Sequence, residues 1–190
     1  MKKLGCIIVP IILVIIVLAV AGWLIGIYNS LVTKSQAIDA QWGQVEAQYQ
    51  RRYDLIPNLV SSVQGMMNQE RTVFDNIAQA RTKYGGAVTV NDKAAAAGEL
   101  ETAVGRLLAV MENYPELKSN TAVINLMDEL AGTENRISVE RNRYNDLVRD
   151  YNTAIKTFPN TMIAGMFGFS EKSYFKSVLG AEVAPKVEFK

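Results

Sequence analysis

The sequence predicts an all-α fold: an N-terminal transmembrane helix runs into an antiparallel four-helix bundle, followed by a short irregular C-terminal tail. Three observations carry this. Leu4 to Ile27 is an uncharged, almost wholly apolar run. From Tyr28 onward, core-type residues recur with alternating spacings of three and four, the signature of a helix with one buried stripe. Three further stripes of the same period follow, separated by Gly-Gly, Asn-Asp and Pro breaks.

The apolar run spans about 24 residues, or ~36 Å of helix, enough to cross ~30 Å of hydrocarbon with some tilt. Lys2 and Lys3 precede it, and the next charge after it is Lys34. The positive flank is therefore N-terminal, which predicts the amino terminus in the cytoplasm and the body outside. Two rival readings concern cleavage. Ala19-Val20-Ala21 has the small-residue pattern of a signal-peptidase site, but apolar residues continue through Ile27, beyond a normal signal core. Leu4-Gly5-Cys6 has a lipoprotein pattern, but no apolar stretch precedes it. Gly22 and Gly26 form a G-x-x-x-G, a candidate helix-packing face in the membrane. Pro10 sits in the first turns, where it costs little.

The sequence divides into an anchor over 1–27, a bundle over 28–158 and a tail over 159–190. The first bundle stripe reads Tyr28, Leu31, Ser35, Ile38, Trp42, Val45, Tyr49, Arg52 and Ile56. No Gly-Pro break separates it from the anchor, so the first soluble helix grows directly from the membrane helix. At Arg51–Pro57 the chain turns or kinks. A turn is preferred, because Asp54 can cap a new helix and Pro57 would then fall in its harmless first turn. The second stripe runs from Ile56 through Met66 and Glu70 to Tyr84, ending at Gly85-Gly86. Asn91 or Asp92 caps an alanine-rich third helix from Lys93 to Tyr114, stopped by Pro115. The fourth helix runs from Leu117 to Phe158 and ends at Pro159. Helices joined by short loops make an antiparallel bundle.

The tail differs in kind. Met162 to Phe169 is apolar with two glycines. Phe167, Phe169, Tyr174, Phe175 and Phe189 are candidate interaction residues; Val178 and Leu179 are apolar companions. Core packing competes with a second reading, a surface patch that meets lipid or a partner. Within the stripes, Arg52, Glu70, Glu134 and Arg141 fall on positions that should be buried. Burying an unpaired charge costs several kcal/mol, so a structural ionic network among the four is expected. Its alternatives are a responsive carboxylate pair and a rotated, solvated stripe. Tyr-Asn recurs at Tyr144-Asn145 and Tyr151-Asn152, placing both tyrosines on one face and letting an asparagine bond a carbonyl or a neighbouring helix.

Composition removes several function classes. The chain has 190 residues, net charge +1, no histidine and one cysteine. That balance lacks the basic footprint of a nucleic-acid binder. Without histidine, the commonest general base and metal ligand are missing. A single cysteine makes no intrachain disulfide and no thiolate zinc site. No catalytic constellation or phosphate-cradle lysine motif is present, so no enzyme activity, cofactor or metal is expected.

Several strings together carry a family resemblance: YNSLV at 28–32, RRYDLIPNLV at 51–60, YPELKSN at 114–120, LAGTENRI at 130–137, RNRYNDLVRDYNTAIKTFP at 141–159 and the PKVEF end. The chain resembles the LemA family of bacterial membrane-anchored helical proteins. The resemblance implies one N-terminal span with a helical bundle behind it, in the bacterial cytoplasmic membrane, and no established activity. It also hints at partnership with other membrane proteins such as a membrane metallopeptidase. The expected function is a non-enzymatic scaffold or interaction protein of the cell envelope. The alternatives are a self-assembling homo-oligomer and, least favoured, a carboxylate-dependent enzyme. The expected partners are the lipid bilayer and further copies of the chain.

Overall fold

The computed structural model describes residues 2–67 and 69–175. Phe189, Val178, Leu179 and the PKVEF end lie outside the described residues. No strand occurs among the described residues, and the fold is all-α. The helices are α1 (Lys2–Gln64), α2 (Arg71–Gly86), α3 (Val90–Met111), α4 (Pro115–Lys118), α5 (Thr121–Lys156) and α6 (Asn160–Phe167).

Helix α1 is 63 residues long and passes straight through Pro57. This overturns the expected turn at Arg51–Pro57. Proline in a helix interior removes one ladder bond and costs roughly 3 kcal/mol. On the far side, however, Ile56, Leu59 and Val63 are each fully buried. At roughly 1.5–3 kcal/mol per buried aliphatic side chain, the burial exceeds the proline cost. Asp54 does not cap a helix; its carboxylate accepts from Gln50 Nε2 at 2.9 Å, one turn back along α1. The turn comes later, at Gly65–Glu70, where Met66 and Met67 N–H both reach the Val63 carbonyl. That turn shifts the core residue by one: Met67 is buried and Met66 exposed.

Two more boundaries move. Thr89, not Asn91 or Asp92, caps α3: its hydroxyl accepts from the Asp92 N–H at 3.1 Å and donates to the Asp92 carboxylate at 2.7 Å. The helix expected from Leu117 to Phe158 is split into α4 and α5, because the Asn120 side chain accepts from Ala122 N–H and Val123 N–H and starts a new helix. α5 stops at Lys156, so Phe158, the last stripe position, is outside a helix and exposed.

The chain forms two compact units. Residues 43–143 with 175 make the first. Here α2 and α3 pack as a hairpin, and one apolar core draws Leu59 and Val63 from α1, Ile77 from α2, Leu107 from α3, Leu117 from α4 and Val123 from α5. Residues 2–42 with 144–174 make the second. Its buried residues are Leu31 and Ile38 of α1, Tyr144, Val148, Tyr151 and Ile155 of α5, and Ile163 and Ala164 of α6. Trp42 meets Tyr144 edge-on, with ring centroids 6.3 Å apart.

If buried packing carries α1 through Pro57, then Pro57→Ala restores the missing ladder bond and raises the unfolding free energy by about 1–3 kcal/mol. Thermal unfolding followed by circular dichroism in detergent reads this. A loss of stability would mean that the chain needs a break there.

Candidate functional site

Two places gather the chemistry, one in each unit. The first is a charged cluster in residues 43–143. Arg52 of α1 is buried and its guanidinium pairs with the Glu134 carboxylate of α5. The preceding residue, Arg51, donates to Glu129 at 2.6 Å on the exposed side. Arg141 lies over the Phe175 ring at 5.3 Å, an arrangement that pairs a cation with an aromatic face. Glu70 is not on a core stripe. It stands at the N-cap of α2 beyond the end of α1, and its carboxylate accepts from the Tyr114 hydroxyl at 3.4 Å.

The acid that joins the cluster is Glu101 of α3. Burial raises its pKa above the ordinary carboxylate value, and the neighbouring Glu134 charge raises it further; Arg52 and Arg141 pull it back. Tyr49 belongs to the same neighbourhood. Burial holds its pKa above the usual phenol value, against the opposing charge of Arg141. The sequence signal for Glu101 is faint. It follows Leu100 and sits four residues after Ala97 and three before Val104, at the edge of the α3 stripe. Spacing sets its face on α3 but not which partner helix it meets. Beside this cluster, Tyr84 meets Tyr49 edge-on at 6.1 Å and Tyr53 at 5.6 Å. Burial pushes its pKa up to about 12. Arg81 stacks over Tyr53 at 4.3 Å. Among the described residues, no group of His, Cys, Asp or Glu side chains is placed to hold a metal ion.

The second place lies at the end of the apolar segment. Pro159 precedes α6, and Gly168 ends it in the left-handed conformation, φ 73°, so that Gly168 N–H and Phe169 N–H both bond the Ala164 carbonyl. That reversal returns the chain toward α1. Phe167 and Phe169 bracket Tyr28 at 4.9 and 5.7 Å between centroids. Between them runs an open apolar cleft of about 500 Å³, lined by Trp23, Leu24, Ile25 and Tyr28 of α1 and by Phe158, Pro159, Met162, Ile163, Met166 and Phe167. Gly22 and Gly26 face open space: a Cβ added at either would meet nothing within 4 Å.

The segment after α6 is held by Asn152. Its amide donates to the Lys172 carbonyl and accepts from the Lys172 N–H, both at 2.9 Å. Lys172 also reaches Asp39 at 3.2 Å, and Lys156 reaches Glu171 at 2.9 Å. Tyr174 is exposed and Phe175 buried.

These features define a membrane protein whose described residues include one helix long and apolar enough to span a bilayer, together with a helical body. The family model for LemA proteins matches residues 41–189, and the chain belongs to the LemA family. Among its relatives, the magnetosome protein MamQ 2 of Paramagnetospirillum magneticum is 28% identical over 92% of this chain and 75% of its own length. MamQ of Magnetospirillum gryphiswaldense is 27% identical, covering 78% of this chain and 64% of its own. The protein LemA of Metamycoplasma hominis is 23% identical, covering 74% and 64%.

Two outcomes check this geometry. Because the folded Glu101 carboxyl titrates above its unfolded value, its contribution favours the folded state at low pH. That contribution is lost as pH rises from the unfolded value of about 4.5 through the raised folded one. Glu101→Gln therefore flattens the fall in melting temperature across that window, read by thermal melts from pH 4 to 7. Asn152→Ala removes both bonds to Lys172 and costs about 1–3 kcal/mol. Hydrogen exchange at the Lys172 amide should accelerate while exchange within α5 stays slow.

Proposed function

We propose that the chain is a non-enzymatic, membrane-anchored interaction protein of the bacterial cytoplasmic membrane, with its amino terminus inside and its body outside. The observation that carries this is the unbroken α1, which takes one helix from the apolar segment into the core of the body. Such a helix joins the apolar segment to the body with no loop between them. The orientation rests on Lys2 and Lys3, the only side-chain charges before the span. The non-enzymatic reading is supported by a sequence without histidine and by an ionic cluster made of structural partners. The relatives point the same way, since their names, MamQ and LemA, denote no reaction.

A second reading, self-assembly into a homo-oligomer, is favoured by Gly22 and Gly26. Their open faces on the apolar segment would admit a second helix at close range.

In-cell photo-crosslinking from Tyr174 and Val139, both exposed, tests the proposal. An interaction protein gives discrete protein adducts at one or both positions. An adduct of twice the chain's 21.0 kDa identifies a second copy; another mass identifies a different partner. Absence of any adduct at both sites contradicts the interaction reading.

A further inference from the structure

Helix α6 is apolar on the side it hides and on the side it shows. Ile163 and Ala164 are buried against the rest of its unit, yet Met162 is 61%, Met166 78% and Phe167 59% exposed. The preceding Phe158 is 80% exposed. No ionisable side chain occurs between Lys156 and Glu171. After Asn160 and Thr161 the helix carries no polar side chain, and a segment apolar on both faces belongs either in a core or in lipid. In water, this exposed face would be an aggregation liability.

Its position decides between the two. The wall opposite α6 across the cleft is formed by Trp23, Leu24 and Ile25, the last turns of the apolar segment. Counting ~1.5 Å per residue from Leu4, these residues fall ~29–32 Å along the helix, where the hydrocarbon ends. Tyr28 follows one turn later and is gripped by Phe167 and Phe169. Trp23, Tyr28 and the two phenylalanines thus form an aromatic cluster at the depth where aromatic rings favour the headgroup boundary.

From this we infer that α6 is an interfacial membrane helix. Its Met162–Met166 face lies among the acyl chains of the leaflet from which α1 emerges, and lipid chains fill the cleft between the two helices. The inference rests on the reading of α1 as a membrane span. The occupant is lipid because one wall of the cleft is the span itself, so whatever fills it must mix with the acyl layer. Apolar burial by a few methylene-sized contacts at this boundary is favourable, at the depth of ~5–10 Å typical of interfacial helices. The consequence is a second membrane contact. It would resist tilting and rotation of α1, because the span is then fixed at two points rather than one.

The test uses the full chain with Cys6→Ser, carrying single cysteines by Leu18→Cys, Met166→Cys or Val88→Cys. Each is nitroxide-labelled and reconstituted into phosphatidylcholine–phosphatidylglycerol vesicles. Collision with oxygen is compared with collision with a water-soluble nickel chelate. Leu18 lies within the span, and Val88 is a fully exposed position of the body. The expected result is an oxygen-to-nickel ratio at position 166 several-fold above that at 88 and close to that at 18. If 166 matches 88 while 18 remains lipid-like, the interfacial helix is wrong and the span stands. If 18 also matches 88, the span reading itself fails. Spin–spin broadening at 166 that disappears on dilution with unlabelled protein would assign the face to a second copy and overturn lipid as its occupant. Met162→Cys gives the same readout should Met166→Cys fail to reconstitute.

Discussion

Within hydrocarbon, a backbone has no water to bond and must close its hydrogen bonds on itself, which makes a continuous helix the cheapest way through a bilayer. In this chain the constraint reaches past the bilayer. α1 keeps its ladder from Lys2 to Gln64 because each later turn finds something to bury: Leu31 and Ile38, then Val45 and Tyr49, then Ile56, Leu59 and Val63. Each buried residue maintains the helical register for the next. A proline that would end a lone helix is carried through by its neighbours on both sides.

Polar chemistry is fitted around that helix. Arg52 is drawn into the core by its place on the stripe, and Glu134 arrives from α5 to neutralise it. Glu101 joins at a cost visible in its raised pKa, which burial sets first and the nearby Glu134 charge raises further. Such a cluster adds little net stability. A helix rotated out of register would leave a charge buried alone, which disfavours that register. Asn152 does the same service for the chain beyond α6, offering Lys172 both an acceptor and a donor.

Much of this was legible in the residues. The three-four spacing of Tyr28 to Ile56 marks a buried stripe because side chains at those intervals share one helix face, and all but the partly exposed Tyr28, Ser35 and Trp42 prove buried. What misled were local rules where tertiary packing decides. Asp54 and Pro57 spell a helix start, yet the energy that overrides it lies in contacts made by Ile56, Leu59 and Val63 with other helices. Glu70 looked like a stripe residue only because the turn at Gly65–Glu70 was placed too early, and the slip from Met66 to Met67 follows from the same displacement. Glu101 escaped because spacing gives a face of one helix but not the rotation of its neighbour. Met162, Met166 and Phe167 are apolar enough to suggest core, yet the structure leaves all three exposed beside Trp23 and Tyr28.

The central claim, that α1 continues unbroken through Pro57 into the body's core, is tested most directly by distance. Spin labels at Gln44 and Ser61, both exposed on α1, bracket Pro57. A continuous helix separates their backbones by about 25 Å, and pulsed electron–electron resonance on the reconstituted protein should find one narrow population there. A population below about 15 Å, the separation a turn near Asp54 would impose from the same rise per residue, would contradict the account.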